Sequence, residues 1–181
     1  KKKLALFCNV EHNRVFESPD VDTIYEIPLV LYNQNFDKMV IDILGIKNIK
    51  KHSQIKYLNN AIKTYKSPKH EVTIAMCGKY NSLHDAYKSI LEAFIHSGIE
   101  NDAKVNVKWI DTEKLEKDKN FDKFHNVDGI LIPGGFGDRG IEGKIMSAQY
   151  AREHNIPFVG ICLGMQCAVI EFARNQCGLK G

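Results

Sequence analysis

The pattern of apolar and polar positions divides the chain at Ser67-Pro68. Beyond that point, short apolar runs alternate with longer amphipathic stretches, as strands alternate with helices. The predicted elements are a strand over 71–77, a helix over 85–96 closed by Gly98, a strand over 104–110, a short helix over 112–118, a strand over 127–132, a helix over 142–154 and a strand that leads to Cys162. Such alternation predicts an α/β fold with a parallel sheet flanked by helices.

The chain before this boundary has a less regular pattern. Residues 3–10 are apolar enough to predict a buried strand, and a helix is expected from Val21, with Pro28 kinking or ending it. A second short helix, apolar at Met39, Val40, Ile43 and Leu44, should close at Gly45. We therefore predict a first domain over 1–46 and an α/β domain over 71–181.

Residues 47–70, which join the two predicted domains, are rich in lysine. No Asp or Glu occurs between Asp42 and Glu71. Such a segment is either a solvated linker or an exposed basic helix, and a basic run of this kind can also attract polyanions.

Composition restricts the class of protein. The chain is 44% hydrophobic with a net charge of +3, so its overall charge does not demand a nucleic acid, and it has no apolar run long enough for a membrane span. The five cysteines include no C-x-x-C pair, which indicates reduced thiols and a cytoplasmic protein. We expect no metal site. Since the chain begins without Met, we also expect it to be a segment of a longer protein.

The strongest candidate for chemistry is Cys162. It lies within Gly160-Ile161-Cys162-Leu163-Gly164, between an apolar run and an amphipathic run, and this order predicts a strand, a sharp turn and a helix. The amide groups at the start of a helix lack intrahelical acceptors and carry the positive end of its dipole, so they favour a thiolate and can receive an oxyanion. The alternative is a small apolar cysteine buried at the end of a core strand.

A second glycine-rich loop favours the catalytic interpretation. Pro133-Gly134-Gly135-Phe136-Gly137 follows the preceding predicted strand, and the carboxyl ends of parallel strands share one edge of the sheet. The match of residues 135–140 to G-x-G-x-x-G does not indicate dinucleotide binding, because it does not follow the first strand of the domain.

These motifs resemble the class I (triad) glutamine amidotransferases, whose domain is flavodoxin-like, and their flanks resemble the CTP synthase family. The flanking residues that carry this resemblance are 78–80, 85–89, 139–143 and 155–157. Upstream, 5–10 and 20–28 resemble the end of that family's synthetase domain, so the first domain is expected to be the tail of a second α/β domain and the sheet of the other to be incomplete.

The resemblance implies an enzyme that aminates UTP to CTP, using ATP and ammonia released from glutamine. Cys162 would then form a glutamyl thioester. Glutamine and its oxyanion would be held by Gly135, Leu163, Gly164, Met165 and Gln166.

The nucleotide sites follow from the same resemblance. Lys3 would lie at the UTP/CTP site, and Pro19, Asp20 and Val21 beside the ATP adenine, although Pro19 replaces an expected basic residue. Phe136 and Arg139 would lie where GTP acts as an allosteric effector. The implied partners are glutamine, UTP, ATP, GTP and CTP as feedback inhibitor, in a homotetramer with Mg²⁺ bound by residues outside this stretch.

One part of the expected triad is missing from the sequence. The family's His-x-Glu pair follows the nucleophile, but no His follows Cys162 here. The histidines of the α/β domain are best interpreted as surface or loop residues: His84, His96, His125 and His154. The position of His84 before a predicted helix allows a place near the site, but it matches no base of the family. We therefore expect the segment alone to be inactive. Two alternatives remain open, namely another triad amidotransferase and a truncated non-catalytic paralogue that acts as a binding or assembly module.

Overall fold

The computed structural model describes residues 1–47, 54–79 and 84–179. Its internal contacts separate two units, Lys1–Ser67 and Pro68–Gly181. Among the described residues of the first unit, all regular structure is helical. Its helices are α1 (Lys2–Phe7), α2 (Ile27–Asn33), α3 (Phe36–Ile43) and α4 (Ile55–Lys66), with 3-10 turns at His12–Arg14 and Ile24–Glu26.

The strand predicted over residues 3–10 is wrong, because α1 occupies this stretch. A strand needs a neighbouring strand to pair its backbone groups, and the described part of the first unit contains none. Lys, Leu and Ala are good helix formers, and a short apolar run does not by itself distinguish a strand from a helix.

The helix predicted from Val21 begins later, at Ile27. Before it, the Thr23 side chain accepts a hydrogen bond from the Tyr25 amide at 3.4 Å. Pro28 lies in the first turn of α2, where its missing N–H costs no intrahelical bond, so it starts the helix rather than ending it. The helix predicted before Gly45 is confirmed as α3, and Gly45 adopts a left-handed φ of +62°.

Part of the lysine-rich segment forms the basic helix α4. Ile62 is its buried residue, and Lys66 near its end forms an ion pair with Asp22 at 2.8 Å and another with Glu26. These acidic partners raise the pKa of Lys66 above its usual value. The helical alternative therefore holds for Ile55–Lys66, whereas residues 48–53 lie outside the described residues.

The second unit is built on a parallel sheet. Its strands are β1 (His70–Gly78), β2 (Ala103–Asp111), β3 (Gly129–Ile132) and β4 (Phe158–Gly160), in the order β2-β1-β3-β4. In register, Gly78 pairs with Asp111 and Ile132 pairs with Gly160. The carboxyl ends of all four strands therefore lie at the same edge.

The helices of this unit follow the strands as the sequence predicted. They are α5 (Lys88–Glu100), α6 (Thr112–Asp118), α7 (Ile141–Glu153) and α8 (Leu163–Asn175), with 3-10 turns at His84–Tyr87 and Phe121–Phe124. The buried core joins strand residues to α6, α7 and the second 3-10 turn: Ala75, Cys77, Ile110, Leu115, Phe124, Ile130, Ile132, Ala148 and Ala151. The predicted α/β fold with a parallel sheet is confirmed.

Gly98 does not close α5, contrary to the prediction. The helix continues to Glu100, and the chain reverses through Asp102, whose φ is +52°. A β-carbon on Gly98 would stand 2.4 Å from the carbonyl oxygen of Ala103. Glycine is therefore needed here for the close approach of β2. Within the described ranges, no helix has both the length and the apolar character needed to cross a bilayer.

Candidate active site

Cys162 lies at the tip of a tight turn between β4 and α8. Its backbone has φ +51° and ψ −106°, a conformation that few non-glycine residues adopt, and α8 begins at the next residue. The residue is exposed, so the alternative of a buried apolar cysteine is wrong. The turn presents the thiol at the carboxyl edge of the sheet.

Two glycines allow this turn to pack. A β-carbon on Gly160 would stand 2.6 Å from the backbone of Gly164 and Met165, and one on Gly164 would stand 2.2 Å from the carbonyl oxygen of Ile132. The Ile161 amide donates to that same carbonyl at 2.9 Å. The first turn of α8 thus lies directly against the ends of β3 and β4, with no room for side chains.

The glycine-rich loop after β3 lies beside the thiol. Pro133 is fully buried, and a β-carbon on Gly134 would stand 3.5 Å from the β-carbon of Cys162. Further along, Gly137 and Gly140 have φ values of +82° and +72°, and α7 begins after Gly140. The loop therefore turns sharply away after passing the candidate nucleophile.

Backbone donors are available next to the thiol. The amides of Gly164 and Gln166 donate to the carbonyls of Ile161 and Cys162 at 2.9 and 3.2 Å. Among the described residues, no backbone carbonyl accepts from the amides of Gly135 and Leu163. Free N–H groups beside a nucleophile can stabilise an oxyanion, and losing one such donor typically costs roughly 3–4 kcal/mol of barrier.

The other residues predicted to hold glutamine are Gly164, Met165 and Gln166, and their environments differ from those of Gly135 and Leu163. Gly164 is buried, and a β-carbon there would overlap the Ile132 carbonyl. Met165 and Gln166 are exposed on α8, and Met165 lines a shallow apolar groove with Phe158 and Phe172. The structure therefore brings Gly135 and Leu163 to the loop and turn around Cys162, while Met165 faces the groove.

Phe136 and Arg139, the predicted effector residues, lie on the outer part of the glycine-rich loop. The side chain of Phe136 is 91% exposed. Arg139 is exposed too, and its guanidinium lies 3.7 Å from a carboxylate oxygen of Glu113. These side chains are accessible to a ligand from solvent.

Two lysines near the loop were not predicted as site residues. The Lys79 ammonium, just after β1, donates to the carbonyl of Phe136. The Lys144 ammonium, on α7, lies 3.9 Å from the position of a Gly135 β-carbon. A signal for Lys144 exists in the sequence, since it shares the helical spacing of the buried Ser147, Ala148 and Ala151.

The other cysteines of this unit have different environments. Burial raises the pKa of the Cys77 thiol to about 12, and burial also raises the pKa of Cys167. Buried thiols of this kind are inert. Cys177 is free and exposed like Cys162, but it lies beyond α8.

His154 does not lie where it could serve as a base for Cys162. His154 follows the last residue of α7, whereas the glycine-rich loop precedes the first. The whole length of α7 therefore separates His154 from the loop. Its Nδ1 lies 2.9 Å from the Tyr150 carbonyl oxygen, and its ring stacks on Tyr150. It is therefore a surface residue at the far end of α7.

The predicted nucleotide-binding residues belong to the first unit. Lys3 lies on α1 instead of a strand, and Pro19, Asp20 and Val21 lie in the segment before the 3-10 turn at Ile24. Lys3, Pro19 and Asp20 are exposed, and Val21 is half-buried. Their assignment to UTP and ATP stays a prediction. In the described ranges, no group of three or more His, Cys, Asp or Glu could hold a metal ion.

Two protein families match this chain, one in each of its two units. Residues 82–180 match the family described as glutamine amidotransferase class-I, and residues 1–46 match the family described as CTP synthase N-terminus. CTP synthases from Syntrophus aciditrophicus, Thermus thermophilus and Methanocaldococcus jannaschii are 51%, 50% and 49% identical over 99–100% of the chain. The chain spans about a third of the length of these relatives (33%, 32% and 34%).

A solved structure is also similar. The glutaminase domain of Trypanosoma brucei CTPS, with bound acivicin, is 44% identical and superposes with a TM-score of 0.56. The match covers 59% of this chain and 42% of that one.

Proposed function

The chain belongs to the class I glutamine amidotransferases and, among them, to the CTP synthase family, and we propose that it carries the glutamine-hydrolysing nucleophile of an enzyme that makes CTP. The observation that carries this proposal is the exposed Cys162 at a positive φ, beside the free amides of Leu163 and Gly135. The match of residues 82–180 to the amidotransferase family supports it.

The Cys162 thiolate would attack the side-chain carbonyl carbon of glutamine. The carbonyl oxygen becomes an oxyanion, and the amides of Gly135 and Leu163 would donate to it. When the tetrahedral intermediate collapses, the C–N bond breaks, ammonia leaves with a proton from a general acid, and a glutamyl thioester remains on Cys162. Water then hydrolyses the thioester to glutamate and frees the thiol.

The residues of this chain do not complete that cycle by themselves. Both proton transfers need a base oriented by a carboxylate, and no His follows Cys162. We therefore propose that a polypeptide of this sequence alone can be acylated but does not turn glutamine over.

The first unit would serve the second reaction of the enzyme. Its residues 1–46 match the CTP synthase N-terminus, which supports a place for Lys3 at the UTP/CTP site and for Pro19, Asp20 and Val21 beside ATP. ATP would supply phosphoryl activation of the UTP carbonyl that ammonia attacks. The exposed Phe136 and Arg139 would be contacted by GTP as an effector.

Acivicin tests the nucleophile, because the solved Trypanosoma relative binds it. In the full-length natural protein, we expect acivicin to label Cys162, as read by mass spectrometry of the peptides. Cys162→Ser should abolish both the label and glutamine hydrolysis. Cys177→Ser, which removes another exposed thiol, should leave both unchanged.

The same protein distinguishes the alternatives. CTP formation from UTP, ATP and glutamine, lost in Cys162→Ser but restored by free ammonia, would support the whole proposal. Labelling of Cys162 without CTP formation would indicate another triad amidotransferase. An unlabelled Cys162 would exclude the glutaminase role and favour the binding or assembly module.

A further inference from the structure

Lys144 is a charged residue that the mechanism above does not use. It lies in the second turn of α7 and is only 1% exposed. Burying an ammonium is costly unless the charge is paired and hydrogen-bonded. The position therefore needs an explanation beyond the packing of the lysine stem.

The surroundings of Lys144 do not neutralise it. Among the described residues, no carboxylate forms an ion pair with it, whereas Arg152 on the same helix pairs with Glu171 at 2.7 Å. The groups that act on it electrostatically are the Cys167 thiol of α8 and the Lys79 ammonium beyond β1. Burial, and the Lys79 charge to a smaller degree, lower the pKa of Lys144.

The ammonium lies against the glycine-rich loop. It is 3.9 Å from the position of a Gly135 β-carbon, while the position of a Gly134 β-carbon is 3.5 Å from Cys162. The cation and the candidate nucleophile thus lie beside adjacent residues of the loop. Because Lys144 is shielded from water, its field at Cys162 is screened less than that of a surface charge.

We propose that Lys144 is a positioning residue for the glutaminase step, whose positive charge supports the oxyanion loop and stabilises negative charge at Cys162 and on the oxyanion. This inference rests on the proposed function. An apolar residue of the same length would fill the same space without this field. The alternative is that the lysine stem only fills the core of α7.

The rate of acivicin labelling at Cys162 tests this in the full-length natural protein. Lys144→Met removes the charge and keeps the volume, so the limiting labelling rate should fall roughly tenfold, the factor that corresponds to about one pKa unit of charge stabilisation. The half-saturating acivicin concentration should stay close to the wild-type value. The melting temperature should hold or rise, since a buried unpaired charge is gone.

Two further variants separate charge from shape. Lys144→Arg keeps a cation and should recover most of the rate. Lys104→Met removes a lysine near the opposite end of β2, whose side chain is 59% exposed, and should behave as wild type. If Lys144→Met does not fold, Lys144→Gln takes its place as the uncharged variant whose labelling rate is compared with those of wild type and Lys144→Arg.

The labelling rates of these variants decide between a role for the Lys144 charge and a role in packing alone. A wild-type rate in the uncharged variant, or equal slowing by Arg and Met, would overturn the role of the charge and leave Lys144 as a packing residue. A wild-type protein whose Cys162 is not labelled at all would instead refute the proposed function, and this inference with it.

Discussion

The backbone at Cys162 illustrates how single residues build this site. A thiol can project from the tip of a turn only if the chain on both sides approaches closely, and here the approach leaves no space for a β-carbon on Gly160 or Gly164. Gly134 differs, because its nearest neighbour would be the β-carbon of Cys162 at an ordinary contact distance of 3.5 Å. Two kinds of glycine therefore surround the nucleophile, and they should respond differently to the same added methyl group.

Gly164→Ala should destabilise the protein by about 3 kcal/mol, because the methyl group overlaps the Ile132 carbonyl and the first turn of α8 must move. Gly134→Ala should change stability by less than about 1 kcal/mol, yet slow acivicin labelling by roughly a hundredfold, because the methyl group would stand beside the Cys162 side chain and take space from the reagent. Denaturant unfolding and the labelling rate measure the two effects. Unchanged stability in Gly164→Ala would contradict the placement of the turn.

At the scale of elements, α7 and α8 support the two loops of the site. Both helices begin at the carboxyl edge of the sheet, α7 after the glycine-rich loop and α8 after Cys162. Toward their other ends, the side chain of Glu171 is buried and accepts hydrogen bonds from Arg152, the shortest at 2.7 Å, and from Asn175 at 3.0 Å. The Arg152–Glu171 pair of this cluster therefore joins α7 to α8.

The Glu171 cluster predicts a pH dependence of stability. Burial acts to raise the pKa of Glu171, but the hydrogen bonds from Arg152 and Asn175 outweigh it, so the pKa lies below the ordinary value of 4.5. A carboxyl with a lowered pKa in the folded state stabilises the fold above about pH 4.5, and this contribution is lost as the pH falls through the folded-state pKa.

Glu171→Gln should therefore reduce the free energy of unfolding by about 2 kcal/mol at pH 7, since Arg152 loses its buried carboxylate partner and, among the described residues, keeps only the exposed Glu153. The difference from wild type should narrow below about pH 4.5. Glu153→Gln is the control, because Glu153 also contacts Arg152, at 3.4 Å, but is exposed, and it should change stability by less than about 0.5 kcal/mol. A difference that is constant with pH would show that ionisation of Glu171 is not involved.

For the whole molecule, the proposed glutamine-hydrolysing residues and the predicted nucleotide-binding residues lie in different units. All four strands that the described residues form, and the core beneath them, belong to Pro68–Gly181. The proposed nucleophile and oxyanion loop lie in this unit, whereas the predicted nucleotide-binding residues lie in Lys1–Ser67. In the proposed reaction, each unit would therefore carry part of a site for a different half.

A polypeptide of residues 68–181 should thus unfold cooperatively, because it retains the sheet and its core. Its Cys162 should react with iodoacetamide at the rate measured for residues 1–181, with site-resolved mass spectrometry distinguishing it from Cys177. Cys162→Ser in the same polypeptide is the control. A non-cooperative transition, or a much faster reaction of the normally buried Cys77, would show that residues 1–67 are needed for the fold.

The sequence by itself determined the order of strands and helices after Ser67-Pro68, the position of Cys162 between a strand and a helix, and the glycine-rich loop before it. These features are local, since periodicity, turn residues and glycine spacing are set by neighbouring positions. The family resemblance was also contained in those short motifs.

Only the tertiary structure decided which distant residues meet. Lys79 and Lys144 lie on different elements from the loop that they contact, and Gly98 is required by the approach of Ala103 rather than by the end of a helix. Residues 2–7 form a helix because strand formation depends on a partner that local sequence does not specify. Contacts of this kind depend on the packing of segments far apart in the chain, so the apolar pattern of one segment does not determine them.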